Sequence, residues 1–265
     1  FSNSAEIVSL AEALYAAADW TWMLNGGSTL SMGWKPESGF LNARWDGYSE
    51  HMILTLMGMG APVHRLPAEV WEAWRREPAG TFGGMTYLQC PPLFTHQYSH
   101  AWVDFRDKRD AYADYWLNSV LATRAQRRMC AAMADRHPHY GSDVWGLTAA
   151  DGPGGYHAWG GPPLTTHPPV NGLVAPCAPG GSLPFEPAAC LRALRAMRQR
   201  HGDVAWRRYG FVDAFNPQTG WAAESVIGIN VGITLLMAEN LRTGRVWEWF
   251  MANPEIRSAM KRAGF

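Results

Sequence analysis

Charge is what this 265-residue chain has least of: Asp, Glu, Lys and Arg make up 17% of it, and the two signs balance at 23 each. No run of Lys or Arg breaks that balance, so the basic footprint of a nucleic-acid binder is absent and no nucleic-acid partner is expected. Long hydrophobic runs are missing as well. The longest apolar stretches, 51–60 and 231–238, fall well short of the ~20 residues that cross a bilayer. The four cysteines, Cys90, Cys130, Cys177 and Cys190, form no CxxC pair, which excludes a zinc ribbon and a thioredoxin motif. Their spacing leaves a Cys177–Cys190 disulfide open. There is no GxSxG nucleophile elbow, and nothing recommends a Ser or Cys nucleophile. The chain opens on Phe1 without a charged segment leading into an apolar one, so no signal peptide is visible, and a processed, truncated or partly disordered product is expected.

What is present is apolar and aromatic. Hydrophobic residues reach 47%, which excludes a disordered chain and permits a large core. At ~150 residues per domain the length suits one large or two small domains. Tryptophan, with 14 residues, outnumbers the 9 Tyr and 10 Phe. Indole faces suit the apolar faces of sugars, but they also fill cores.

Helical periodicity dominates. Residues 5–18 place Ile7, Leu10, Ala11, Leu14 and Ala18 at the 3.6 period, with Ser4 as a candidate N-cap. Further helices are predicted over 49–58, 67–76, 95–106, 111–136, 187–201, 223–241, 246–251 and 254–263. Gly/Pro punctuation makes 25–47 and 209–221 loops. The 49 residues 137–185 form a long Gly/Pro-rich loop, and its rings (Tyr140, Trp145, Tyr156, Trp159) favour a functional one. About nine helices, few short strands and no repeat predict an all-α fold.

Four constellations could carry chemistry. The first, 33–50, holds Glu37, Asp46 and Glu50 with Arg44 among rings. Desolvation beside aromatics raises a carboxylate pKa toward the range of acid–base work, although an ordinary loop ending in a helix cap has the same composition. The second puts His96, His100 and Asp104 at i, i+4, i+8, one face of a helix. That spacing could bind a metal, but Gln97 stands where HExxH needs its glutamate. A substrate-facing polar surface or a helix–helix contact fits better. The third, 145–154, has glycines that allow close backbone approach but follow no strand, so a phosphate loop fails on context. The fourth, 209–217, sets Asp213 between Phe211 and Phe215, while Asn216-Pro217 reads as a turn.

In this order the motifs resemble the bacterial glycoamylase-like family, which includes endo-β-1,2-glucanases and parts of cyclic β-1,2-glucan synthases. The match is carried by SMGWKPESGF (31–40), RWDGYSEHMIL (44–54), LFTHQYSHAWVDFR (93–106), VWGLTAADGPG (144–154), SLPFEP (182–187), YGFVDAFNP (209–217), GIN (228–230) and MAENLRTGRVW (237–247). Two positions depart from the pattern: Asn171 replaces an Asp before a Gly, and Val231 replaces a Gln.

The resemblance implies an (α/α)6 toroid of twelve helices and endo-acting, inverting hydrolysis of β-1,2-glucan. No metal or cofactor is expected, because His96 and His100 lack a third ligand beyond Asp104 and a carboxylate pair needs none. With about nine helices in view, the chain is expected to begin partway round the ring as one domain missing about three N-terminal helices. On this reading Asp213 is the general base, acting directly or through a relay. Glu50 is the general acid, with Glu37 kept as an alternative because Glu50 sits at a helix start, where the dipole favours its ionised form. Arg44, Trp45, Asp46, Tyr48, His96, His100, Asp104, Trp145 and Asp151 would line the sugar subsites. A retaining transglycosylase and a non-catalytic glucan-binding protein are the alternatives, and a periplasmic or secreted location is expected.

Overall fold

The computed structural model describes residues 2–77, 79–163 and 170–265. Nine α-helices lie among them: α1 (Ala5–Ala17), α2 (Met52–Gly60), α3 (Glu69–Ala73), α4 (Tyr115–Ala132), α5 (Cys177–Gly181), α6 (Pro187–Ala205), α7 (Gly228–Thr243), α8 (Arg245–Met251) and α9 (Pro254–Arg262). The all-α expectation holds. Local signals set several ends. Ser4 caps α1 through the Ile7 N–H, and Asp114 caps α4 through the Leu117 N–H at 2.8 Å, each such cap contributing about 1 kcal/mol. Pro187 and Pro254 open α6 and α9, where a missing N–H costs nothing. Gly244, at φ 69°, ends α7 in the left-handed conformation. The predicted end of α6 at His201 coincides with a non-helical kink, after which the chain coils on to Ala205.

Five antiparallel hairpins were not legible in the sequence: β1 (Trp34–Lys35) with β2 (Gly39–Phe40), β3 (Ala79–Phe82) with β4 (Met85–Leu88), β5 (Ala149–Ala150) with β6 (His157–Ala158), β7 (Trp206–Arg207) with β8 (Gly210–Phe211), and β9 (Phe215–Asn216) with β10 (Trp221–Ala222). Four of them pair only two residues per strand, too few for alternation to register.

Two apolar clusters form the interior. One gathers α4, α5, α6 and α7 around Trp145, Leu147, Phe215 and Met237. The other packs α2, α3 and α9 around Met52, Leu56, Trp71, Trp74 and Ile256. Gly60 of α2 lies so close to α9 that a Cβ there would meet the Glu255 carbonyl oxygen at 2.6 Å. Beneath this second cluster Asp110, 4% exposed, accepts from Trp71 Nε1 (2.9 Å), Tyr115 Oη (2.8 Å) and the N–H groups of Tyr112 and Ala113. The Arg76 guanidinium sits 3.3 Å over the Trp74 ring and 3.8 Å from Asp110, so the buried charge has both cation and donors.

The segment predicted as a helix over 95–106 is instead two 3-10 turns, Leu93–His96 and Ser99–Ala101. The tighter turns suit a segment whose polar side chains are spoken for on several sides. Gln97 Nε2 donates to Ala178 O and Ser182 Oγ, both at 2.7 Å. Ser99 Oγ donates to Glu50 O (2.6 Å) and accepts from the Ile53 N–H (3.0 Å). His100 bonds Ser119 Oγ at 3.0 Å, and its carbonyl accepts from Trp247 Nε1 at 2.6 Å. Asn240 Nδ2 donates to Ala101 O at 2.8 Å. This strut is the joint between the two clusters. No helix among the described residues is long and apolar enough to cross a membrane.

Burial holds His51, His96 and His100 neutral, each with a pKa lowered to about 3. An unfolded histidine titrates near ~6.5, so between roughly pH 6.5 and 3 the unfolded chain binds more protons. Stability is then fully present above ~6.5 and is lost as the pH falls toward 3. Acid unfolding is expected to take up about three protons from these side chains, measurable as the pH slope of urea-unfolding free energy. A flat stability curve between pH 6 and 4 would contradict it.

Candidate active site

Asp213 is a buried carboxylate whose flanking backbone is fixed on both sides. It sits between the β7–β8 and β9–β10 hairpins, in a stretch predicted as plain loop. Its neighbours are pinned: the Val212 N–H donates to Ala205 O (2.9 Å), the Ala223 N–H to Ala214 O (2.9 Å), and Phe215 exchanges both backbone bonds with Val174 (2.7 and 2.9 Å). Only 7% exposed, the carboxylate accepts the Asp151 N–H on Oδ2 and Asn230 Nδ2 on Oδ1, both at 2.7 Å. Burial raises its pKa above the ordinary aspartate value and the Asp151 charge raises it further, while the two N–H donors pull it back. Asp213 and Asn230 form part of the wall of a cavity of about 330 Å³, otherwise lined largely by apolar groups that include Trp206, Tyr209, Phe211 and Leu235.

The β5–β6 hairpin closes over this carboxylate. The glycines of the 145–154 motif do permit close approach, but by protein rather than ligand. A Cβ on Gly152 would meet the Trp159 ring at 2.5 Å, and one on Gly146, at φ 138°, would meet Pro179 and the Ala175 carbonyl within 3 Å. Trp159 is buried, its Nε1 donating to Ala150 O at 3.0 Å, whereas Tyr156 at the turn is half exposed. The Tyr156 phenol is raised in pKa by partial burial and by the negative charges of Asp213 and Glu50. One ring therefore lies within Coulombic range of both Asp213 and Glu50.

Glu50 is half-buried immediately before α2, with Ser49 Oγ donating to Oε2 and its backbone carbonyl held by Ser99. Glu37 is exposed in the turn between β1 and β2. Trp45 stacks on His51, ring centroids 5.4 Å apart. Asp46 is exposed and pairs with Arg75 at 3.4 Å. Arg44 turns inward instead, donating to the carbonyls of Leu24 and Thr29 and clamping the 24–31 turn. Asp151 serves Asp213 through its backbone and caps Gly152 with its own carboxylate (3.2 Å).

Several expected sugar contacts are corrected. His96 and His100 are 3% and 0% exposed, and the 3-10 turns break the helical face they were expected to share. His96 bonds Tyr48 Oη at 3.0 Å, and Tyr48 is itself 3% exposed and stacked on Tyr115. Trp145 is fully buried in the first cluster. These four side chains are interior packing. Asp104 is taken up by Arg106 in a two-pronged ion pair of 2.8–2.9 Å. Of the two departures, Asn171 braces the loop, its carbonyl accepting from Asn216 Nδ2 at 2.9 Å, and Val231 lines the cavity. All four cysteines are free. Among the described residues no group of three or more His, Cys, Asp or Glu could hold a metal ion.

Comparison with known proteins gives the family of the chain. Residues 42–254 match the glycoamylase family, described as putative glucoamylase, and the chain belongs to that family. It is 27% identical to an exo β-1,2-glucooligosaccharide sophorohydrolase (non-reducing end) of Parabacteroides distasonis, over 94% of this chain and 38% of that protein. An endo-β-1,2-glucanase from Chitinophaga pinensis, solved with sophorotriose and glucose, superposes with a TM-score of 0.91 at 28% identity, covering 99% of this chain and 66% of that one. A β-1,2-glucanase structure from Parabacteroides distasonis gives 0.90 at 26% identity, covering 98% and 41%. The chain thus spans less than two thirds of the length of each.

Sequence reasoning missed Asn230 and the position of Tyr156. GIN (228–230) was visible as a motif, but nothing in it says that the asparagine reaches a carboxylate. The two donors on Asp213 also make Asp213→Asn costly to folding. An amide has one acceptor oxygen where the carboxylate satisfies two donors, so its NH₂ faces an N–H. That variant is expected to lose about 1–3 kcal/mol in denaturant unfolding. Unchanged stability would mean that the two donors do not bind Asp213 as described.

Proposed function

We propose that this chain is a glycoside hydrolase acting on β-1,2-linked glucan by an endo-acting, inverting, paired-carboxylate mechanism. The observation that carries the reading is the buried Asp213 carboxylate, held by two N–H donors at a cavity wall. Support for the linkage comes from relatives whose names specify β-1,2-glucan or its oligosaccharides. The nine helices are read as part of an (α/α)6 toroid, with residues 1–265 in one domain, and a polymeric glucan substrate suits a periplasmic or secreted setting.

In this mechanism Asp213 is the general base, taking a proton from the attacking water directly or through a relay. Its pKa lies above the usual aspartate value, so hydrolysis rises as the pH climbs through that raised value and the carboxylate ionises. Glu50 is the general acid that protonates the departing glycosidic oxygen. What favours Glu50 over Glu37 is its charge, felt together with that of Asp213 at Tyr156, and a backbone fixed by Ser99; Glu37 lies exposed on a hairpin turn. An inverting pair stands ~6.5–9.5 Å apart with a water between. Trp45, Asp46, Asp151 and Tyr156 are the rim residues assigned to sugar contacts.

Reducing-end release from linear β-1,2-glucan, with laminarin and starch as controls, tests the substrate. A ladder of product sizes is expected. Release of a single disaccharide would make the action exo, and no release would leave a glucan-binding protein. Anomeric NMR of the first product should show inversion, and retention would favour a transglycosylase. Glu50→Gln is expected to lower kcat by ~10²–10⁴-fold, with Glu37→Gln near wild type. The reverse pattern would move the acid to Glu37. EDTA is expected to leave the rate unchanged, because a carboxylate pair needs no metal. Loss restored by zinc or calcium would overturn that.

A further inference from the structure

Asn230 lies in the first turn of α7, 2% exposed, beside the cavity that Asp213 helps to line. Its Nδ2 donates in two directions, to Asp213 Oδ1 at 2.7 Å and to the Ala149 carbonyl at 3.0 Å. Both partners are pure acceptors, so the amide has one admissible orientation. Its own Oδ1 is buried and has no hydrogen-bond partner among the described residues. Burying an unpaired oxygen is costly, so the side chain's contribution lies in its two donated bonds. Ala149 begins the β5–β6 hairpin, whose Asp151 N–H grips the other carboxylate oxygen. Helix, carboxylate and hairpin meet at one NH₂ group.

We propose that Asn230 is the positioning residue of the base. By clamping Asp213 Oδ1 and the Ala149 carbonyl together, it leaves the carboxylate one fixed set of lone pairs toward the cavity and ties the hairpin to the base. The inference rests on the reading of Asp213 as the general base. The groups facing Asp213 are the Asp151 carboxylate, the Tyr156 phenol, the Cys177 thiol and the two N–H donors; no cation pairs with it among the described residues. The ionised form therefore depends on donated hydrogen bonds, and losing the one from Asn230 drives the pKa of Asp213 further up.

The experiment follows the Asp213 carboxyl carbon by NMR titration, assigned by its disappearance in Asp213→Asn. In the wild-type protein the Asn230 side-chain amide signals are expected to titrate with the same midpoint as Asp213. In Asn230→Ser the Asp213 midpoint should move up by about one pH unit. In Asn230→Asp it should move further, with two coupled steps. On β-1,2-glucan the acidic limb of kcat/KM should shift by the same amount, with kcat falling about tenfold above the limb and KM changing less than about threefold. Asn230 amide signals that ignore the Asp213 titration overturn the proposal without any variant. So does an unmoved midpoint in a folded variant, or an activity loss equal at every pH. Failure of the base assignment is a separate result: Asp213→Asn then retains turnover while the NMR arms still report on the clamp.

Discussion

The hydrogen bonds of the buried strut around Gln97, Ser99 and His100 are what the rest of the molecule leans on. Ser99 fixes the carbonyl of Glu50 and the first turn of α2, Gln97 fixes α5 and Ser182, and the carbonyls of His100 and Ala101 receive α8 and α7. A continuous α-helix would have spent those carbonyls on its own ladder. Two short 3-10 turns leave them free for Trp247 and Asn240. The strut thus sets Glu50 directly, and through α7 it reaches the helix that carries Asn230 and so Asp213. Each of these bonds is worth about 1 kcal/mol net, but losing one partner would leave a buried polar atom unmatched.

The strut and the candidate site treat polarity in opposite ways. Around His96, Gln97 and His100 polar atoms are largely paired with other protein groups and sealed from water, which gives rigidity and no chemistry. At Asp213 two donors hold the carboxylate while burial resists its charge, which is the balance a general base requires. The difference is one of access. Asp213 borders a cavity, and the strut histidines do not appear in its lining.

Legibility in the sequence followed the same division. Amphipathic period and capping residues place eight of the nine helices among the described residues to within a few positions; most of these bury their apolar face, whereas α1 leaves Ile7, Leu10 and Leu14 exposed. The one not placed is α5, whose five residues Cys-Ala-Pro-Gly-Gly carry no helical signal. The two-residue hairpins were invisible, since their register comes from the chain meeting itself across a turn. Asp213 stood out as a carboxylate between rings. His96, His100, Tyr48 and Trp145 looked like site residues because sugar-binding chemistry and a polar-aromatic core draw on the same side chains, and only burial separates them. Asn230 was visible only as part of a motif and its role was not, because that role depends on a partner 17 positions away and a carbonyl 81 away.

The hairpin's grip on Asp213 runs through a main-chain N–H, that of residue 151, and not through its side chain. Any residue type other than proline supplies that donor equally well. The turn beyond it, with Tyr156 half exposed, can therefore change its side chains while the grip on the carboxylate stays the same. Such a construction separates what is free to drift from what must be kept: on the proposed reading, preference for chain length or branching can be retuned at the rim without rebuilding the base.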